Sequence, residues 1–186
     1  MQRKRVSLVI ALSIGLLVQC ESSSPTGSEK LYLLEAAGQQ WCVYRSEAEW
    51  NADVQQQQAM VVATVEHVSG RLIAVNVTEQ DESGDWIVYD NYTMSADGQP
   101  QSLKRTVNIL PGERSEERVF RIRAGLATQQ SAATRQLGTG KSLRGAETWL
   151  PDVPVITRVQ GFPFASLIGA ERVKTLPSKL CVAVGR

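Results

Sequence analysis

MVVATVEHVSGRLIAVNVTE, residues 60–79, is the stretch that decides the fold of this chain. Two runs rich in valine, isoleucine and threonine, which favour strands, flank the turn dipeptide Ser69-Gly70. In the second run, apolar residues alternate with small or polar ones, which is the two-residue period of a strand with one buried face. The apolar residues of that period are Ile73, Val75 and Val77. The stretch therefore predicts a β-hairpin within an antiparallel sheet.

Strand patterns continue on both sides of this hairpin, separated by turn sequences such as DESGD, SADGQP and PGERSEE. The further strand-like runs are WCVY at 41–44, WIVYDNYTM at 86–94, SLKRTVNIL at 102–110, RVFRIRAGLA at 118–127 and KLCVAV at 179–184. We predict a mainly β fold of the β-rich α+β kind. Its centre is a twisted antiparallel β-meander of about 6–8 strands, with one or two short helices packed on it.

Two stretches carry helix signals, and two others do not fit the strand pattern. Ser46 and Glu49 are spaced as a capping box that begins a short helix. FASLIGAERV, residues 164–173, has the apolar spacing of a second short helix. Residues 128–147 are polar and without period, and predict a long loop. Residues 149–164 contain three prolines and predict an extended segment that crosses the domain.

The N-terminus has the pattern of an export signal. Arg3, Lys4 and Arg5 precede an apolar run of about a dozen residues at 6–18, which is shorter than the about 20 residues that span a bilayer as a helix. A basic start followed by such a run is typical of a secretory signal peptide. We therefore expect export from the cytoplasm.

The end of this segment, LVQC at 17–20, resembles the lipobox of bacterial lipoproteins. Leu17 and Cys20 match that pattern, whereas Gln19 stands where the family prefers a small residue. The resemblance implies cleavage before Cys20, lipid attachment to Cys20, and a membrane-anchored lipoprotein that faces the periplasm or the cell surface. The alternatives are an uncleaved anchor or ordinary secretion, and a cytoplasmic protein. The predicted organisation is a signal peptide at 1–19, a flexible tether at 20–29, and a single β-rich globular domain at 30–186.

The chain has three cysteines, an odd number, so they cannot all pair with one another. With Cys20 carrying lipid, Cys42 and Cys181 remain as a pair in an oxidising compartment, and we predict a disulfide between them. The alternative is two buried thiols that are not connected. A metal site is disfavoured because two cysteines and one distant histidine lack ligand spacing.

Composition excludes a nucleic-acid partner. Loss of Arg3, Lys4 and Arg5 with the signal peptide reduces the 20 basic residues to 17 against 19 acidic ones, a net charge of −2. Such a balance provides no basic surface for nucleic acid. The expected partners are the membrane, through the lipid anchor, and an envelope protein or a hydrophobic ligand.

Arginines on the meander are the candidate ligand-binding residues. Arg121 and Arg123 alternate with Phe120 and Ile122 on one strand, and Arg105 lies on the apolar face of the strand before it. A guanidinium there could bind a carboxylate or phosphate group. The alternative is cross-strand pairing with acidic neighbours.

The sequence lacks the residue sets of an enzyme. His67 is the sole histidine and is expected at the surface or at a strand edge. No GxSxG-type motif positions a nucleophile. LGTGKS at 137–142 lacks the first glycine of a phosphate-binding loop, since Arg135 stands there. We predict no catalytic activity, no cofactor and no metal.

One hairpin resembles a known repeat. YDNYTMSADGQPQSLKR, residues 89–105, is similar to the tyrosine–aspartate hairpins of YD-repeat shell proteins through Tyr92, Asp97 and Gly98. A single copy, with Gln99 where those repeats favour a basic residue, indicates a shared hairpin and not kinship.

The function expected from the sequence is that of a non-catalytic lipoprotein of the bacterial cell envelope that binds or docks a partner. The alternative is a carrier whose sheet curls into a half-barrel around a lipid or another hydrophobic ligand. That alternative is an argument from architecture alone, and fold analogy is a weak guide to function.

Overall fold

The computed structural model describes residues 27–37, 40–143 and 153–183. The predicted signal peptide and the lipid attachment site at Cys20 lie outside the described residues. Nine strands are β1 Ser28–Ala36, β2 Gln40–Tyr44, β3 Val61–Val68, β4 Arg71–Gln80, β5 Trp86–Met94, β6 Pro100–Ile109, β7 Arg114–Arg123, β8 Leu126–Gln136 and β9 Lys179–Ala183. Two helices are α1 Glu47–Gln57 and α2 Ala170–Thr175, and 3-10 turns cover Val159–Gly161 and Ala165–Leu167.

All nine strands form one open antiparallel sheet in the order β8-β7-β6-β5-β4-β3-β1-β2-β9. Strands β3 to β8 follow one another as hairpins, so the predicted mainly β meander is confirmed. The first strand pairs with both β2 and β3, and the last strand returns to pair with β2. The beginning and the end of the described chain therefore meet at one side of the sheet.

The nine described strands exceed the predicted 6–8 by one, and the strands that were not predicted are β1 and β8. Ser28 and Glu29, assigned to the tether, begin β1. Residues 128–136, predicted as loop, belong to β8, an edge strand whose side chains are nearly all exposed. The hairpin into β8 turns at Ala124 and Gly125, which both have positive φ, as a tight two-residue hairpin turn requires. Backbone pairing with β7 holds this polar strand, so no apolar alternation marks it.

A β-bulge changes which side chains of the central hairpin are buried. The register between β3 and β4 shifts at Glu66 and His67, where Ala74 and Leu72 are their respective partners. Ile73 is skipped, and Leu72 is buried in its place. The prediction that Ile73, Val75 and Val77 share one buried face is therefore wrong for Ile73. The bulge reverses the alternation of inward and outward side chains at that residue.

The sheet has apolar side chains on both faces at one end. On the first face, which we call the covered face, a core forms from alternate residues of the strands and from residues 153–176, which we call the covering segment. On the opposite face Tyr32, Leu34, Cys42 and Tyr44 pack against Trp50 and Val54 of α1. Helix α1 begins at Ser46, whose side chain accepts a hydrogen bond from Glu49 N as predicted. The predicted second helix is shorter, because a 3-10 turn occupies its first residues.

The predicted disulfide is confirmed. Cys42 and Cys181 lie directly opposite each other on β2 and β9, with a Cα–Cα distance of 4.0 Å, and are bonded. The bridge lies on the side of α1 and not on the covered face. Such a bond is consistent with a domain outside the cytoplasm.

We expect Cys42→Ser/Cys181→Ser to lower the free energy of unfolding by roughly 5 kcal/mol, because the bridge closes a long loop in the unfolded chain. The sequence separation of its cysteines is 139 residues. Urea denaturation of the variant and of the oxidised parent measures the loss. An unchanged denaturation midpoint would contradict a stabilising bridge, and reduction of the parent should reproduce the effect of the variant.

Candidate functional site

The covering segment lies on the sheet without regular structure over residues 153–157. Its backbone polar groups therefore need partners from the sheet. Arg105 donates hydrogen bonds to the carbonyl oxygens of Val153 and Pro154, the latter at 3.3 Å. The hydroxyl of Tyr92 accepts a hydrogen bond from Ile156 N at 3.0 Å. Side chains of β5 and β6 thus bind the segment where it has no internal hydrogen bonding.

Three more side chains attach the rest of the covering segment. Gln99 Oε1 accepts a hydrogen bond from Val159 N at 3.1 Å. His67 Nε2 lies 3.0 Å from the carbonyl oxygen of Ile168. Arg45 Nε donates to the carbonyl oxygen of Leu176 at 3.1 Å, just beyond α2. The segment is fixed at both ends and between them by polar contacts to five separate parts of the chain.

Aromatic packing supports the same placement. Phe162 meets Tyr92 edge to face with 5.1 Å between ring centroids, and Phe164 lies 4.7 Å from Trp41. Phe162 and Phe164 also stack on each other at 5.4 Å. Such pairs contribute about 0.5–1.5 kcal/mol each beyond their burial.

A buried ion pair stands under the start of the covering segment. Arg105 Nε and Nη2 donate to the two carboxylate oxygens of Asp90 at 2.7 and 2.6 Å. The side chains are only 9% and 7% exposed, so the pair is separated from water. Strands β5 and β6 place the two residues directly opposite each other. A bidentate geometry of this kind is the strongest form of an arginine–carboxylate contact.

A cavity of about 230 Å³ lies between the covered face and the covering segment. Its lining is mostly apolar and aromatic, with three carboxylates. The lining residues are Glu35, Trp41, Val61, Val77, Glu79, Val88, Asp90, Tyr92, Val153, Pro154, Ile156, Phe162, Pro163 and Phe164.

Strand register explains why carboxylates line an otherwise apolar cavity. Glu79 lies directly between Val61 of β3 and Val88 of β5. Glu35 lies opposite Trp41 of β2. The alternation of β4 that directs Val75 and Val77 to the covered face directs Glu79 there as well. Among the described residues, neither Glu35 nor Glu79 has a hydrogen-bond or ion-pair partner.

The environment of Glu79 disfavours its charged form. Burial among apolar side chains is the main cause that raises the pKa of this carboxyl, and the negative charge of Asp90 raises it further. The charge of Arg105 opposes the shift, and Glu35 adds to it. The negative charges of Asp90 and Glu35 therefore both act on the carboxyl of Glu79. No group of three or more described residues, however, is arranged to hold a metal ion.

Tyr92 presents a neutral hydroxyl to the same site. Burial, with the nearby charge of Asp90, raises the pKa of Tyr92 to about 12. The phenol therefore stays protonated at neutral pH and serves as a hydrogen-bonding group that orients the covering segment.

His67 does not lie at the surface as expected. It is buried, with 1% of its surface exposed, on the same face of β3 as Ala63 and Val65. Its Nδ1 has no hydrogen-bond partner among the described residues. The alternation of MVVATVEHV carries the signal that would have predicted this burial.

The structure does not bring the three candidate arginines together. Arg105 is buried on the covered face and is fully engaged with Asp90 and the covering segment. Arg121 and Arg123 are exposed, and the alternation of β7 directs them away from buried Ile122. Arg105 forms a cross-strand pair with an acidic neighbour, which was the alternative to ligand binding. A ligand role for Arg121 and Arg123 stays a prediction. The sequence reasoning missed Glu35, Glu79 and Trp41, although the β4 alternation would have identified Glu79.

The chain matches no family model, no curated protein and no solved structure. In the part that the structure describes, no helix is long and apolar enough to cross a membrane.

We expect Asp90→Asn to lower the free energy of unfolding by about 3–5 kcal/mol, since it leaves the Arg105 charge buried and unpaired. Replacing both partners, as Asp90→Leu/Arg105→Met, removes the unpaired charge but leaves two carbonyl oxygens of the covering segment without their donor, so it should restore only part of that loss. Urea denaturation measures both. The control is Glu117→Gln, which breaks an exposed pair with Lys104 on neighbouring strands and should cost at most about 1 kcal/mol. Equal effects of Asp90→Asn and the control would contradict a structural role for the buried pair.

We expect Glu79→Gln to raise the stability of the unliganded protein at neutral pH. A carboxyl whose pKa is raised on folding favours the folded state only while protonated, so its contribution is lost as pH rises through the folded-state pKa. The stability difference between Glu79→Gln and the parent should vanish below the ordinary glutamate pKa of about 4.3. Thermal denaturation at pH 4 and pH 7 measures it. A variant that is less stable at pH 7 would contradict the assigned environment of Glu79.

Proposed function

We propose that this chain is an exported, non-catalytic binding module whose cavity, between the covered face and the covering segment, binds a small apolar ligand. The observation that carries the proposal is the cavity lining, which combines valine, proline and four aromatic side chains with a few polar groups. Ligand sites in proteins have this composition, an apolar concavity with a small number of placed polar groups.

The volume of the cavity limits the size of the ligand. At about 230 Å³ it exceeds the cavity of about 150 Å³ that takes up benzene in an engineered protein. It is below the range of about 300–1,000 Å³ that is usual for drug-sized ligands. An apolar body of one ring or one short alkyl chain fits, whereas a lipid with two or three acyl chains does not. If the protein is a carrier, the cavity volume therefore restricts its ligand to a small hydrophobic molecule.

The chemistry of the lining favours binding over catalysis. No serine, threonine, cysteine, lysine or histidine is among the described residues that line the cavity. Asp90 is held in an ion pair, and the hydroxyl of Tyr92 is neutral and bonded to Ile156. An activated nucleophile requires an adjacent base, and the lining offers no such pair.

The cellular setting forms part of the proposal. The basic and apolar N-terminus with the lipobox-like Leu17 and Cys20 supports lipid attachment at Cys20 and anchoring to a membrane of the cell envelope. The disulfide between Cys42 and Cys181 is consistent with that compartment. The ligand would then be met in the periplasm or at the cell surface.

We expect octan-1-ol to bind the full-length chain with a dissociation constant on the order of 100 µM, since burial of about eight methylene groups contributes roughly 6 kcal/mol. Val77→Phe should fill the cavity and weaken binding at least about tenfold. Isothermal titration calorimetry measures both. The matched control is Thr78→Phe, the next residue of β4, which faces away from the cavity.

Absence of saturable octan-1-ol binding to the parent would overturn the proposal, and docking of an envelope protein would become the leading expectation. Equal affinity of the parent and Val77→Phe would overturn the assignment of binding to this cavity. Circular dichroism of each variant establishes that it is folded before titration.

A further inference from the structure

We infer that the ligand of this cavity is cationic, an apolar body that carries one amine or ammonium group directed at Glu35 and Glu79. The inference rests on the proposed binding function and names the chemical class of the ligand.

The charges that line the cavity do not balance. Three carboxylates line it, and the guanidinium of Arg105 neutralises one of them, Asp90. Glu35 and Glu79 remain, and within the described parts of the chain neither forms an ion pair, although the charge of Arg105 acts on Glu79 from a distance. A cationic ligand would supply the missing charge.

When no ligand is bound, the position of the Glu79 carboxylate among apolar side chains destabilises the folded protein. Its carboxylate lies in the register between Val61 and Val88, where the strands would otherwise present an unbroken apolar surface. A carboxylate taken out of water without a partner is destabilising, and the raised pKa of Glu79 reflects that loss of hydration. An ammonium group in contact with the carboxylate would offset the penalty, because opposite charges attract more strongly in a partly buried site than in bulk water.

Aromatic side chains favour the same class of ligand. Trp41, Tyr92, Phe162 and Phe164 all line the cavity. Ring faces attract cations, tryptophan most strongly, and aromatic cavities are used to bind quaternary ammonium groups. The combination of carboxylates with aromatic rings matches an organic cation, which can use both.

Anions and metal ions fit the cavity less well. An anionic ligand would meet Glu35 and Glu79, while the donors of Arg105 are already directed at Asp90 and at backbone carbonyls of the covering segment. The described acidic residues do not form a metal-binding group, and the rest of the lining is mostly apolar, which poorly suits a hard cation that needs about six or more oxygen ligands.

The experiment compares three ligands of equal chain length, octylamine, octan-1-ol and octanoate, by calorimetry with the full-length chain at pH 8. A partly buried carboxyl is ionised at that pH, and the amine is protonated. We expect octylamine to bind about tenfold or more tightly than octan-1-ol, and octanoate to bind more weakly than either.

Two variants test the assignment to the carboxylates. Glu79→Gln and Glu35→Gln should each remove most of the preference for octylamine, measured as the ratio of its affinity to the affinity for octan-1-ol in the same variant. Glu82→Gln, in the exposed hairpin loop between β4 and β5, removes the same charge away from the cavity and should change neither affinity.

The outcomes separate the two proposals. Equal binding of octylamine and octan-1-ol would overturn the cationic class and leave the apolar binding function standing. Binding of none of the three would overturn both. A preference for octylamine that survives in Glu79→Gln and in Glu35→Gln would overturn the role of these carboxylates. Loss of the preference as pH falls through the raised pKa of Glu79, with octan-1-ol affinity constant, supports the inference.

Discussion

The arrangement of this domain depends on the buried ion pair of Arg105 and Asp90. The start of the covering segment has neither helix nor strand, so its carbonyl groups must be satisfied by donors from the sheet. An arginine can do so because its planar guanidinium carries five donors, some for Asp90 and some for the segment. Asp90 in turn makes the burial of that charge tolerable. Without the pair, the carbonyl groups of Val153 and Pro154 would lose their donor beside the cavity.

The same constraint explains why a cavity exists at all. The covering segment is held by the polar ends of long side chains, those of Arg105, Tyr92 and Gln99, which extend to its backbone from β5, β6 and the loop between them. Phe162 and Phe164 fill part of the space that results. The remainder is bounded by short side chains such as Val61 and Val77, which do not reach across it. Satisfying the backbone of the covering segment and leaving a cavity beneath it are two results of one arrangement.

Local signals predicted the parts of the fold that depend on local physics. The hairpins from β3 to β7 have alternating apolar residues and turn dipeptides, and the Ser46 cap begins α1 as expected. Strand β8 was missed because its pairing comes from the backbone of β7, which no side-chain pattern records. The residues that line the cavity were harder to predict. Glu35, Glu79 and Asp90 lie on separate strands, and only the register of those strands brings them to one cavity. Of these three residues, only Glu79 could have been identified from the sequence, because it continues the alternation of Val75 and Val77.

The pairing of β2 with β9 has a kinetic consequence. The two strands are far apart in sequence, so β2 has no outer neighbour until the last of the described strands is available. Contacts between such distant segments form slowly, because the long intervening stretch of chain loses conformational entropy before the contacts compensate for it. The hairpins from β3 to β8 can form from neighbouring strands, whereas the pairing of β2 with β9 cannot. Synthesis from the N-terminus makes β9 the last described strand to appear, so the pairing that brings Cys42 opposite Cys181 is the last to become possible.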